Sequence, residues 1–156
     1  MHRRFLLLAA LAGPSLALVA AGPAPKAGPV NIEGTLAIQG HDPVAFFTDA
    51  RATRGRADIT AQHEGATYRF ASAANRDTFI ANPAKYLPQY GGYCAFGLAR
   101  GYKAVIDPKA FTISNGRLYL NYNASIQDQW RHQQEADIHL ADANWPRVIN
   151  SPDVAR

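Results

Sequence analysis

Apolar and polar residues alternate along two parts of this chain with the period of two that is typical of β-strands. The first part runs through residues 58–63, turns at Glu64-Gly65 and returns through residues 66–70. In both arms the apolar residues occupy alternate positions, so one face of each arm can turn toward a core. The pattern therefore predicts a β-hairpin over residues 58–70.

The second part, residues 110–122, predicts a β-hairpin and also the register in which its two strands pair. Asn115-Gly116 stands between two apolar arms and is a preferred dipeptide for a two-residue type I′ turn. Such a turn places Ile113 opposite Leu118 and Phe111 opposite Leu120. Because strand side chains alternate between the two faces, these four apolar side chains share one face, and this arrangement fixes the register.

The helical signals lie outside the hairpins. Asp42 stands before a proline and predicts one helical turn, because its carboxylate can accept hydrogen bonds from free amides. Ser72 predicts the cap of a helix that continues to about Ala81. After Asn123 the chain reads as helical to its end, with a break expected at Pro146. These elements predict an α+β domain, in which two hairpins form a small antiparallel sheet and helices pack against it.

The first 21 residues have the features of a secretory signal peptide. Two arginines precede an apolar run that Pro14 interrupts, and small residues precede a cleavage position after Ala21. The run is shorter than the roughly 20 apolar residues of a membrane helix, so we expect cleavage rather than a retained anchor. The mature protein is then periplasmic or secreted, with no stable membrane insertion. Residues 22–31, rich in Pro, Gly and Ala, predict a tether, and residues 32–150 the domain.

Charge and motifs exclude several classes of function. Removing residues 1–21 takes away Arg3 and Arg4 and no acidic residue, so the formal net charge falls from +4 to +2. A charge this small and evenly spread does not indicate a nucleic-acid partner. The sequence also lacks a Gly-x-Ser-x-Gly elbow, a phosphate loop and a dinucleotide fingerprint. We therefore expect a protein that is not an enzyme and does not bind nucleic acid.

Cys94 is the only cysteine of the chain, so it cannot form an internal disulfide. In an exported protein a free thiol is prone to oxidation unless it is buried or used. Two interpretations follow. Cys94 is a small packing residue of the core, or it is a metal ligand or reactive group within the glycine-rich segment 90–97.

Histidines are the candidate partners of this thiol. His41 lies between a glycine and an aspartate at a predicted helix start and is the first candidate to join Cys94, with His63 as a further one. A thiolate and an imidazole form a soft ligand set that suits Cu(I) or Zn(II). The alternative is that His41 packs or caps locally.

A second candidate set lies near the end of the chain. His132, Glu135 and His139 are spaced by three and four residues, so they would share one face of a helix. Such a face can hold a divalent ion, or it can be the solvated side of an amphipathic helix.

Several motifs together resemble the YHS domain family, most closely its exported single-domain bacterial members. The motifs are Gly40–Phe47, Tyr68–Ser72, Tyr90–Ala95 and Gly116–Tyr122. The resemblance extends from about Thr35 to Trp145. The family takes its name from a Tyr-His-Ser triplet, to which Tyr93-Cys94-Ala95 corresponds here, with cysteine in place of histidine and alanine in place of serine.

The resemblance implies a small α+β module that binds copper or another heavy metal, found alone or attached to copper-transporting ATPases and oxygenases. The chain is then an exported, non-catalytic metal-binding module with Cys94 as principal ligand and His41 as the second. Its partners would be the metal ion and a metal-trafficking protein. The alternative is a small-ligand or protein-interaction module in which Cys94 is buried packing.

Overall fold

The computed structural model describes residues 28–156, so the predicted signal peptide and residues 22–27 lie outside the described range. Eight strands occur within this range: β1 (Ile32–Glu33), β2 (Leu36–Ala37), β3 (Arg56–His63), β4 (Ala66–Phe70), β5 (Lys103–Ala104), β6 (Asp107–Ser114), β7 (Arg117–Asn121) and β8 (Val154–Ala155). Six α-helices accompany them there: α1 (Ala45–Thr48), α2 (Ala73–Ala81), α3 (Pro83–Tyr86), α4 (Ala95–Ala99), α5 (Ala124–His132) and α6 (Gln134–Val148). Short 3₁₀ turns span Ile38–Gly40 and Gln89–Gly92.

The strands of residues 28–156 form three small sheets. The largest has the order β1-β2-β4-β3, in which β2 and β4 run parallel and β3 and β4 form an antiparallel hairpin. β6 and β7 form the second hairpin, and β5 pairs in parallel with β8. With helices packed against these sheets the domain is α+β, as predicted.

The prediction that both hairpins share one sheet is wrong, because other segments lie along the edges of the second hairpin. Pro88 and Cys94 each form a parallel bridge to β7. On the other side, the Gln127 side chain of α5 donates a hydrogen bond to the Phe111 carbonyl of β6. The first hairpin therefore pairs with β2 instead.

The local geometry of both hairpins is confirmed. The first turns at Glu64-Gly65, and in the second Ile113 lies opposite Leu118. Asn115 and Gly116 both have positive φ values, 48° and 70°, as a type I′ turn requires. The turn chemistry therefore sets the register here.

Buried side chains form two clusters that meet at β7. The first includes Phe46, Phe70, Cys94 and Leu118, and it joins the four-stranded sheet to one face of β7. The second contains Trp130 and Tyr119 and joins the other face of β7 to α4, α5 and α6. β7 is therefore buried on both faces, which the alternation of its residues did not predict.

The caps predicted at Asp42 and Ser72 form, and Asn123, after which the last helical region was predicted to begin, provides a third. Asp42 Oδ1 accepts a hydrogen bond from the amide of Val44 at 2.8 Å. Ser72 and Asn123 each accept one from the amide three residues further on, at 3.1 and 2.9 Å. Such caps contribute about 1 kcal/mol each. They fix the starts of α2 and α5 where the sequence predicts them.

The C-terminal part differs from its prediction. The expected single helix is divided into α5 and α6 at Gln133, whose backbone angles are not helical (φ −132°, ψ 29°). Pro146 does not break α6, which continues two residues beyond it to Val148, although the missing N–H of the proline removes one hydrogen bond from the last turn. The chain then leaves the helix and reaches β8. Among the described residues, no helix is long and apolar enough to cross a membrane.

Residues 28–31, the part of the predicted tether that the structure describes, contact the rest of the domain. The amide of Asn31 donates to the carbonyl of Gly91 at 2.8 Å. The hydroxyl of Tyr93 donates to the carbonyl of Gly28 at 2.9 Å. Residues 28–31 of the predicted tether are therefore hydrogen-bonded to the segment around Gly91 and Tyr93.

The buried Lys103 side chain also contacts residues 28–31, through the carbonyl of Gly28. Its side chain is only 1 % exposed, and its Nζ donates to the carbonyls of Gly28 at 3.0 Å and Ile149 at 3.2 Å. The ammonium also lies 4.8 Å from the centre of the Tyr93 ring. Burial lowers the pKa of Lys103. This one buried cation therefore contacts segments from both ends of the described chain.

Candidate functional site

Cys94 lies at a crossing of three segments. It follows the 3₁₀ turn Gln89–Gly92, immediately precedes α4, and pairs with Leu120 of β7. Its amide donates to the carbonyl of Ala104 at 3.1 Å. Gly92, with φ +82°, packs so that a Cβ there would lie 3.3 Å from Pro88. The small residues of this motif thus bring backbone segments close together around the cysteine.

The Cys94 thiol is enclosed, and its sulfur is only 3.6 Å from Asn121 Oδ1. Burial raises the pKa of Cys94. The backbone amides of Gly97, Tyr122 and Phe96 act in the opposite direction, because an N–H group near the sulfur favours the thiolate. Burial outweighs these amides, so the group is a neutral thiol at neutral pH.

Asn121 is a polar residue with no exposed surface. Its Oδ1 accepts a hydrogen bond from the amide of Phe96 at 3.2 Å, and this contact fixes which end of the side-chain amide is the oxygen. Within residues 28–156, the Nδ2 of Asn121 has no hydrogen-bond partner. An unpaired buried donor costs about 1–3 kcal/mol of stability, so such groups are unusual in folded proteins. The Nδ2 of Asn121 is such a group, on a side chain that contacts the Cys94 sulfur.

A cavity of about 320 Å³ adjoins Cys94. Its walls come from α4, β5, the start of α5, and the segments around Tyr102, Tyr122 and β8. Three aromatic rings line it, those of Phe96, Tyr102 and Tyr122. Among the described residues that line it, Arg156 has the only basic side chain, and none has an acidic side chain or is a histidine. The cavity is therefore aromatic, with a basic group on its wall.

An ion pair holds the Phe96 side of this cavity. Arg100 stacks on the Phe96 ring with its Cζ 3.3 Å from the ring centre. Its Nη1 donates to the Phe96 carbonyl at 2.9 Å and to Asp137 Oδ2 at 3.2 Å. Because the Asp137 side chain is only 4 % exposed, this contact ties α4 firmly to the start of α6.

His41 is buried at a site of its own. Its Nδ1 lies 3.0 Å from the Ile38 carbonyl, and its backbone forms a bridge with Arg54. Burial lowers the pKa of His41, and the nearby Arg54 guanidinium acts in the same direction. His41 does not line the cavity beside Cys94. The structure thus shows His41 packing locally, which was the alternative interpretation.

The other candidate ligands are dispersed. His63 packs edge-on against Phe79, with ring centres 5.9 Å apart. His132 is the last residue of α5, with an exposed side chain whose Nδ1 contacts the Asp128 carbonyl. The helix break at Gln133 separates it from Glu135 and His139 of α6, so the three do not share one helix as predicted.

The described residues offer few metal ligands around Cys94. Residues 28–156 contain no group of three or more His, Cys, Asp or Glu side chains placed to hold a metal ion. One thiol beside aromatic rings does not fit the four-ligand tetrahedral geometry of a structural zinc site. The described residues thus supply Cys94 as the sole soft donor at this cavity.

Sequence reasoning missed Asn121 and the cavity. One signal was present, because Asn121 ends the otherwise apolar run of β7, and a polar side chain there needs a partner. The cavity had no such signal, since Tyr102, Ile126 and Arg156 are far apart in sequence.

Comparisons of the chain with protein-family models, with curated proteins and with solved structures found no match. The resemblance to the YHS domain family therefore stays a prediction.

Proposed function

We propose that this domain is a non-catalytic module that binds a small ligand in the cavity beside Cys94. The observation that carries the proposal is the cavity itself, whose aromatic walls open beside a buried thiol. Ligand sites in proteins are concave, mostly apolar and commonly 300–1,000 Å³ in volume, and this cavity lies at the lower end of that range.

The volume limits the ligand. A water molecule occupies about 30 Å³ in the liquid, so 320 Å³ corresponds to about ten non-hydrogen atoms. That is one substituted ring. At about 0.3–0.5 kcal/mol per atom such a ligand gains about 3–5 kcal/mol, which is a Kd from the millimolar to the high micromolar range.

The role proposed for Cys94 is apolar contact. Its raised pKa keeps the thiol neutral, and no histidine lines the cavity among the described residues. A cysteine nucleophile needs a neighbouring base or a lowered pKa. The absence of both from the described site supports binding rather than catalysis.

The test is a titration of the protein with benzyl alcohol, followed by two-dimensional NMR of the backbone amides. Binding in the cavity should shift the amides of Cys94, Phe96 and Tyr122. Ile126→Trp should abolish these shifts, because Ile126 lines the cavity and the larger ring fills it.

The matched control is Ile113→Trp. Ile113 is an exposed isoleucine of β6 that does not line the cavity, so this variant should bind normally. Shifts that persist in Ile126→Trp, or the absence of any shift in the unmodified protein, would contradict the proposal.

One observation also supports the metal-binding hypothesis as a second candidate, because Cys94 lines the cavity and a soft cation can reach it there. Further ligands would come from outside the described residues. Anaerobic titration with Cu(I) and with Zn(II), beside Cys94→Ala, tests this function. Binding of one equivalent that is lost in Cys94→Ala would support the metal site, and equal behaviour of both proteins would count against it.

A further inference from the structure

Residues 150–156, which we call the strap, follow α6 and run back along the domain. Within the strap only Val154 and Ala155 form a strand, β8, which pairs in parallel with β5. Next to this pairing, the amide of Val105 donates to the Ala155 carbonyl at 3.0 Å. An average strand has five or six residues, so a two-residue strand holds the strap by a short ladder of hydrogen bonds.

The side chains of the strap add little burial to this ladder. Val154 is partly buried and packs against the cluster that contains Trp130 and Tyr119. Short ladders with few buried apolar contacts open locally at a much lower free energy than the whole fold. Five residues of the strap are exposed: Asn150, Pro152, Asp153, Ala155 and Arg156.

The base of the strap is held more firmly than its end. The buried Lys103 Nζ donates to the carbonyl of Ile149 at 3.2 Å. The amide of Ser151 donates to the carbonyl of Val148, the last residue of α6, at 2.9 Å. Because both contacts lie before β8 in the chain, β8 can separate from β5 while α6 stays in place.

β8 covers the side of the cavity that lies at β5. The amide of Cys94 donates to the Ala104 carbonyl at 3.1 Å, and Ala104 pairs in turn with Ala155 of β8. Ala155 and Arg156 also line the cavity beside Cys94. With the strap in place, Cys94 is only 2 % exposed. Release of β8 therefore removes one wall of the cavity and opens a path to the thiol.

We infer that the strap is a releasable cover of this cavity, and that the Cys94 thiol becomes accessible when β8 separates from β5. The inference rests on the proposed function, because it describes how the same cavity opens and closes. The walls from α4, β5 and the start of α5 keep their places during this motion, so the cavity retains most of its shape while it is open.

Strap release and global unfolding predict different kinetics for alkylation of the thiol. The experiment follows alkylation of Cys94 by iodoacetamide at pH 7.5 by mass spectrometry, at urea concentrations below the unfolding transition. Urea favours an opening in proportion to the surface that it exposes. Release of the strap exposes little surface, so the alkylation rate should stay nearly constant over this range. Access through global unfolding would make the rate rise steeply with urea.

Val154→Ala tests the strap directly, because Val154 is its apolar contact with the core. Loss of two partly buried methyl groups should favour release and raise the alkylation rate about fivefold. The matched control is Val148→Ala, which makes the same change in a partly buried residue of α6 that packs against the same cluster. It should leave the rate in the absence of urea unchanged.

A second variant, which lacks residues 152–156, removes β8 and keeps the contact of Ser151 with Val148. It should react at least about tenfold faster than the unmodified protein, since no strand has to be released. Equal rates in the unmodified protein, in Val154→Ala and in this variant would overturn the inference. A rate that rises with urea as steeply as global unfolding would also overturn it, and so would equal acceleration by Val154→Ala and Val148→Ala.

These readouts use no ligand, so the inference and the proposed function fail separately. If benzyl alcohol shifts no amide around Cys94 but both strap variants are alkylated faster, the proposed function is wrong and the strap is still a releasable cover. If benzyl alcohol binds and the strap variants are alkylated no faster, the cavity is a binding site and the inference is wrong.

Discussion

Gly91 offers a direct measure of how much the docked segment 28–31 contributes to the fold. Gly91 has φ +61°, and a Cβ built on it would lie 1.8 Å from the Pro29 carbonyl oxygen. No real contact is that short, so Gly91→Ala must displace the segment. Gly65 has a similar φ of +78°, but a Cβ there would meet nothing within 4 Å. Both substitutions therefore place alanine at a positive φ, but only Gly91→Ala also brings a Cβ against the Pro29 carbonyl oxygen.

The expected magnitudes follow from these contacts. Alanine in the left-handed region costs about 1–2 kcal/mol, which applies to both variants. In Gly91→Ala the buried Lys103 also loses the Gly28 carbonyl, one of its two acceptors, at about 1–3 kcal/mol. We take the other hydrogen bonds of the segment to be offset by the chain entropy it regains. Gly91→Ala should thus cost about 2 kcal/mol more than Gly65→Ala.

Urea unfolding followed by tryptophan fluorescence measures both losses. A variant without residues 1–31 provides the internal check, because it has no segment to displace. In that background Gly91→Ala should cost only the 1–2 kcal/mol of the backbone term. Equal losses for Gly91→Ala and Gly65→Ala in the longer chain would refute the reasoning, since the segment would then contribute nothing.

Three further predictions concern buried polar groups. Because burial raises the pKa of Cys94, iodoacetamide should alkylate the native thiol more slowly at pH 7.5 than the same thiol in urea, and equal rates by mass spectrometry would contradict this burial. Asn121→Ala should cost about 1–3 kcal/mol in urea unfolding, because the Phe96 amide loses its acceptor, while the space left behind and the removal of the unpaired Nδ2 act in opposite directions. Asn123→Ala should cost about 1 kcal/mol, the contribution of a helix cap. Burial lowers the pKa of His41, so below about pH 6.5 the unfolded chain binds a proton there more readily than the folded protein does. The contribution of the buried, neutral imidazole to the free energy of unfolding is therefore complete above about pH 6.5 and decreases as the pH falls below that value. Unfolding free energies from pH 8 to pH 5 should therefore fall less steeply for His41→Gln, and identical slopes would show that His41 is not responsible.

The features predicted correctly are those that neighbouring residues determine. Asn115-Gly116 can adopt positive φ at both positions, and this fixes the register of β6 and β7 without help from the rest of the chain. Ser72 and Asn123 cap α2 and α5 through amides three residues away. Such contacts can be predicted from the sequence because they join residues that are only a few positions apart.

The features predicted wrongly depend on distant contacts. Periodicity cannot show that Gln127 of α5 would donate a hydrogen bond to the Phe111 carbonyl of β6, or that the two hairpins would lie in separate sheets. It equally cannot show that the Nδ1 of His41 would contact the Ile38 carbonyl of the preceding turn. Residue types identified possible ligands, but the distances between them are set by tertiary packing.

In the candidate site, too, the sequence identifies the local feature and not the distant contacts. Cys94 was singled out from its glycine-rich motif, and it does line the cavity. The other walls come from β5, α5 and β8, which no spacing in the sequence connects. Metal binding and the family resemblance both stay predictions that the titrations above address.

The buried Lys103 also has a consequence for the topology of the chain. It holds the carbonyls of Gly28 and Ile149 within 3.2 Å of one nitrogen atom, so these two distant points of the chain lie side by side. A short peptide linker could therefore join Gly28 to Ile149 without spanning the molecule, although it would leave out residues 150–156 and with them β8. A circular permutant of this kind, with new ends at the exposed Asn115-Gly116 turn, would keep both carbonyls beside Lys103 and lose the pairing of β5 with β8.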